Sequence, residues 1–98
     1  MKQFIVNIDL PGELTSDFVD LIPEQRKEID RLFLEGKILF YSLAYDRSKL
    51  WVGIRADSKQ EVWNILWSFP LIDYMKPEIH ELAFHQSMRS TTIEVSLN

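Results

Sequence analysis

The sequence predicts an α+β sandwich with its elements in the order βαββαβ. Three observations carry that expectation. Apolar residues alternate with period two near the start and again at residues 50–56. Two intervening stretches repeat apolar residues at helical spacing and stop at a glycine or a proline. A nearly continuous apolar run at 37–46 lies one polar turn before the second alternating segment, as in a hairpin.

Each element has its own justification. Residues 2–10 place Phe4, Val6, Ile8 and Leu10 on one strand face and Ile5, Asn7 and Asp9 on the other. The first face is wholly apolar and should pack on helices. The second is mixed, which suits a partner or a pocket. Pro11-Gly12 ends the strand. Thr15, Ser16 and Asp17 offer caps for a helical turn through Phe18–Ile22. Pro23 fits a first helical position better than an interior one, so the main helix is expected over 23–35, joined to the earlier turn at a bend. Ile29, Leu32 and Phe33 supply its apolar spacing, and Gly36 supplies its stop.

The run 37–46 reads as a strand covered on both faces. Asp46-Arg47-Ser48-Lys49 is the turn. In the next strand Leu50, Val52, Ile54 and Ala56 share one face, with Trp51, Gly53 and Arg55 on the other. Ser58 and Glu61 have capping-box spacing for a second helix with the stripe Val62, Ile65, Leu66 and Phe69, stopped by Pro70. Residues 71–77 form a linker, and 78–86 the last strand. The domain is expected to span 1–87. In the tail, 88–98, Ile93, Val95 and Leu97 alternate, which offers either an exchanged strand for a neighbour's edge or a segment without fixed structure.

Composition agrees with one small domain. The chain has 98 residues, 46% of them apolar, enough for one core. A charged fraction of 27% is ordinary for a globular protein and argues against disorder. No run is long and apolar enough to cross a bilayer, and the first residues lack a signal-peptide pattern, so a cytoplasmic protein with no membrane association is expected. The absence of cysteine excludes disulfides, thiolate metal sites and cysteine nucleophiles. A net charge of −4 without a basic block gives nucleic acid no footprint.

Right-handed crossovers around a central hairpin turn this order into a ferredoxin-like sandwich, with four antiparallel strands and two helices on one face. The other sheet face, carrying Ile5, Trp51, Gly53 and part of the 38–45 run, is too apolar to be left in water. Two sheets packed face to face across a two-fold axis solve that problem, so a dimeric α+β barrel is expected.

Several residues on that face could bind or react. Asn7 is a candidate pocket residue; Asp9 reads as a solvated strand end. Arg55, beside Trp51, could hold a carboxylate by a bidentate contact, or form an ion pair with Asp9 or a glutamate. His80 and His85, five apart on one expected strand, should point to opposite faces and so not share a metal ion. Trp63 and Trp67 are i,i+4 on the second helix and read as packing or subunit contact.

The stretch from Ser58 to Ser87 resembles the muconolactone delta-isomerases. The likeness rests on Ser58 and Glu61, Ile65-Leu66, Pro70-Leu71, Tyr74-Met75, Glu78, Leu82 and His85, with Gly36-Lys37 and Arg47 upstream. It spans roughly 4–87. It implies the same dimeric barrel, self-association as a homodimer or a ring of dimers, and a proton shift on a small carboxylated lactone without metal or cofactor. Such chemistry needs a base beside a carbonyl and donors for the enolate. The resemblance makes His85 a candidate catalytic residue and aligns Gln25 with a family glutamate. It also exposes departures. Ile5 and Asn7 stand where the family presents a histidine and an arginine, and Ser48-Lys49-Leu50 where it has Tyr-x-Asn. The candidate set is therefore Gln25 and His85 for catalysis and Asn7, Trp51 and Arg55 for substrate binding. Two functions follow: an isomerase-like enzyme acting on a small carboxylated or lactone-like metabolite, or a noncatalytic small-molecule-binding or oligomeric accessory domain.

Overall fold

A computed structural model describes residues 1–87; the tail expected at 88–98 lies outside the described residues. The elements are β1 (Lys2–Asp9), α1 (Ser16–Leu34), β2 (Ile38–Leu43), β3 (Lys49–Ala56), α2 (Lys59–Trp67) and β4 (Lys76–Glu81), with a single 3-10 turn at Ile72–Tyr74 before the last strand. The four strands form one antiparallel sheet in the order β2-β3-β1-β4. This is the ferredoxin-like arrangement that the element order predicts.

The alternation in β1 and β3 sorts the two sheet faces. Phe4, Val6 and Ile8 from β1 and Leu50, Val52, Ile54 and Ala56 from β3 are buried on the helix side. Ile29 and Leu32 from α1, Val62, Ile65 and Leu66 from α2, and Phe69, Leu71 and Met75 beyond it close the core from above. Each large apolar side chain buried in this layer contributes about 1.5–3 kcal/mol. The core is thus completed by the helices alone, which leaves the opposite sheet face open.

The turns follow local chemistry. The Thr15 hydroxyl accepts from the Phe18 N–H and caps α1. Gly36, at φ 73°, makes the left-handed step that ends the helix, and Lys37 N–H returns to Leu32 O. In the hairpin, Arg47 also takes a left-handed conformation, at φ 63°. Asp46 braces it by accepting from both the backbone and the hydroxyl of Ser48, and those bonds hold its carboxyl below the usual carboxylate range.

The structure corrects three element expectations. α1 is one helix from Ser16 to Leu34 and passes through Pro23 without restarting there. Proline removes the bond to the carbonyl of Val19, but both residues are exposed, so water can serve that carbonyl. β2 is an edge strand of six residues rather than one covered on both faces. Its last two residues, Ser42 and Leu43, are exposed, and Tyr45 lies wholly in solvent. β4 begins and ends earlier than expected, because Pro77 is accepted on an edge strand where its missing N–H costs no ladder bond. After Glu81 the Leu82 N–H still bonds Gln3 O at 2.9 Å, and then the chain leaves the sheet. His85 is consequently not a strand residue. Among the described residues no helix is long and apolar enough to cross a membrane.

Candidate functional site

Strand register turns the open face into a grid. One row runs Ser42, Trp51, Asn7, Glu78 from β2 to β4; the next runs Phe40, Gly53, Ile5, His80; a third begins with Arg55 and Gln3. Side chains paired in register point the same way, so these residues share one surface.

The centre of the grid is built around a missing side chain. A Cβ on Gly53 would collide with the ring of Phe40, so the glycine lets that ring lie against the sheet. The His85 imidazole stacks on Phe40, with ring centroids 6.0 Å apart and planes 21° apart. The segment after β4 therefore crosses the open face towards the opposite edge. Between it and the sheet lies an open cleft of about 640 Å³, lined by Gln3, Leu39, Phe40, His85 and Ser87. That is the size range of small-molecule sites.

Two polar features of the open face lie outside the lining of that cleft. The Oδ1 of Asn7 is buried and has no hydrogen-bond partner. A buried acceptor without a donor costs about 1–3 kcal/mol. Next to it, His80 Nε2 lies 3.2 Å from Glu78 Oε1.

Arg55 is exposed at the margin of the face and has no ion pair among the described residues. The pairing considered for it with Asp9 is not made, because Asp9 takes Lys49, its register partner on β3, instead. The guanidinium is left available to an anion. Trp51 is half-buried in the row of Asn7. On α2, Trp63 packs on the core while Trp67 remains 63% exposed, their ring centroids 6.2 Å apart.

Gln25 lies elsewhere. It is 4% exposed, on the helix side of the sheet, and both ends of its amide are engaged. Its Nε2 donates to the Tyr41 hydroxyl at 3.2 Å, and its Oε1 accepts from the Leu71 N–H at 3.1 Å. The amide thus ties α1 to β2 and to the chain after α2. Burial pushes the Tyr41 phenol up, and the bond from Gln25 opposes that only in part. Asn7, Trp51, Arg55 and His85 are thus brought to the open face, and Gln25 is separated from them by the sheet.

The two histidines also depart from expectation. They were placed on opposite faces of one strand. Because β4 ends at Glu81, both instead reach the open side, His80 by register with Ile5 and His85 through its stack on Phe40. The pair His80 and Glu78 was legible in the sequence as residues two apart on a strand, which share a face. Among the described residues no three His, Cys, Asp or Glu side chains converge as metal ligands do.

Comparison with known proteins places this geometry. By sequence, no curated protein matches the chain. By structure, it superposes on a crystal structure of muconolactone isomerase with a TM-score of 0.69 and 20% identity, covering 92% of this chain and 97% of that one. It also superposes on the 5-chloro-2-hydroxyhydroquinone dehydrochlorinase of Burkholderia phenoliruptrix AC1100, solved with 2,5-dihydroxybenzoquinone, with a TM-score of 0.65 and 16% identity, covering 87% and 96%. At these identities the two structures establish the fold. The sequence model of muconolactone delta-isomerase matches residues 3–88, which take in every strand and helix described above except Lys2 at the start of β1. A match of that extent makes this chain a member of the muconolactone delta-isomerase family.

Proposed function

We propose that two copies of this chain pair through their helix-free faces, as a homodimer or a ring of dimers, and that the space they enclose receives a small carboxylated or lactone-like ring compound. The reaction is a cofactor-free proton shift within that compound, carried out in the cytoplasm. The observation that carries this reading is the make-up of the open face. Phe40 lies flat on Gly53, with Ile5 and Trp51 beside it, and the buried Asn7 carbonyl lacks a donor. Such a surface favours being covered.

In this reading the His85–Phe40 stack forms the wall against which a flat ring packs. Arg55 meets the carboxylate, and Trp51 fills the side of the pocket nearest Asn7. Family membership supports a proton-shift chemistry. The planar ligand of the dehydrochlorinase supports a flat ring as the ligand shape.

One observation favours a second reading, a noncatalytic binding domain. The helix position that the family fills with a glutamate here holds an amide with both ends committed to the fold.

Light scattering at micromolar concentration tests the pairing: a dimer or a multiple of dimers is expected, and a monomer overturns the proposal. Incubation with muconolactone separates the readings. Slow conversion is expected from the enzyme, given the departures at Ile5, Asn7 and Gln25. Binding without conversion of any small ring acid favours the binding domain.

A further inference from the structure

We propose that residues 92–97 add a strand to the outer edge of β2 in the same chain, running parallel to it. This edge is distinct from the open face, so its occupant does not depend on the pairing proposed above.

The sheet has two edges, and they are built differently. β4 carries Lys76, Pro77, Glu78 and Glu81, charges and a proline of the kind that keep an edge from pairing with another strand. β2 reads Ile38-Leu39-Phe40-Tyr41-Ser42-Leu43, with neither charge nor proline, and among the described residues its one strand partner is β3. An uncharged strand of high β propensity left open in this way invites pairing. The helix side of this edge is also unfinished. Leu43 is in register with the buried Leu50, which puts it on the core side, yet it is 51% exposed.

The course of the chain supplies the occupant. β4 runs towards the end of the sheet that holds Gln3, and the Leu82 N–H bonds Gln3 O there. The segment that follows crosses the open face, and Ser87 lines the cleft together with Leu39 and Phe40 of β2. Ile38 is in register with Ile54, and Ile54 with Phe4, so β2 starts from this same end. A chain that turns back from Ser87 therefore travels along β2 in the direction of β2, which makes the pairing parallel. At about 3.3 Å per residue, 92–97 matches the roughly 20 Å of the six-residue β2, and 88–91 span about 13 Å, enough to round the edge from the open face.

The chemistry of 92–97 fits that place. Thr92-Ile93-Glu94-Val95-Ser96-Leu97 alternates with period two and is rich in residues that favour strands. Ile93, Val95 and Leu97 share one face, which goes to the core side beside Leu43 and the partly buried Tyr41. Thr92, Glu94 and Ser96 go to the open side, and Glu94 gives the new edge a charge that β2 lacks. The edge of the same chain wins over a neighbour's because Ser87 already lies beside it, and so short a tether gives a high effective concentration.

Amide hydrogen exchange of the full chain, followed by NMR, tests the pairing. Amides within 92–97 are expected to exchange at least about tenfold more slowly than in an unstructured chain. The double variant Ile93→Asp, Val95→Asp is expected to remove that protection and to speed exchange in β2 about tenfold, while β1 and β3 keep theirs. Unprotected amides across 92–97 in the parent overturn the proposal, and protection of β2 alone then points to a second copy's edge. A β2 indifferent to the double variant overturns it as well. The chain has no cysteine, so Ser96→Cys takes a single nitroxide label on the open side. Isotope-labelled protein carrying the nitroxide, diluted into excess unlabelled protein without it, is expected to show broadened β2 amide signals. Broadening that occurs only when nitroxide and isotope sit on different chains assigns the strand to a neighbour and overturns the pairing within one chain.

Discussion

Gln25 is the residue on which three segments meet, and its replacement is correspondingly costly. In Gln25→Leu the Leu71 N–H loses its acceptor in a buried site, and the Tyr41 hydroxyl loses its donor. A loss of about 2–3 kcal/mol is expected in urea unfolding. Tyr41 adds a dependence on pH. Its phenol is raised in the folded state, mainly by burial, so the folded chain holds that proton more tightly than the unfolded chain does. This contribution is complete below the ordinary phenol value of about 10 and is lost as pH rises through the higher folded value. Tyr41→Phe should flatten the alkaline limb of a stability–pH curve while lowering stability at neutral pH. Gly53 is a residue of a different kind. A methyl there collides with the Phe40 ring, so Gly53→Ala is expected to swing that ring off the sheet and to abolish its stacking with His85. NMR contacts between the two rings measure this directly.

At the scale of elements, legibility in the sequence followed how closely burial tracks the chemical pattern. β1 and β3 occupy the two central positions, where one face meets the helices and the other does not, so period two appears in their residues without distortion. β2 and β4 are edges, and their patterns misled. The run 37–46 is apolar because Ile38 and Tyr41 meet the core while Phe40 covers the open face, not because helices cover both sides. Pro77 looked like linker because proline breaks central strands, yet an edge tolerates it. α2 was legible down to its first turn. The Ser58 hydroxyl accepts from the Glu61 N–H, and the Glu61 carboxylate accepts from the Asp57 N–H at 2.6 Å. Ser58→Ala should lower thermal stability by about 1 kcal/mol, measured by the unfolding midpoint. Pro23 was read by its usual rule and broke it, since an exposed proline in a long helix leaves a carbonyl that water can serve.

At the scale of the whole molecule, the sequence told which residues share the open face but not which side of the sheet Gln25 would occupy. An alignment position carries no depth, and a helix residue reaches the sheet from one side only. The crossing of the face by the segment after β4 was also invisible, because no local pattern marks where a chain turns back over its own sheet. The helix-side core, from Phe4 to Met75, closes within one chain. Folding should therefore survive the loss of the proposed pairing. Serial dilution should leave the far-ultraviolet circular dichroism unchanged even where the sedimentation coefficient falls, and a signal that melts away on dilution would contradict that expectation. In the pairing proposed above, such a chain would exchange subunits without unfolding first, because nothing in the core would have to open for the faces to part.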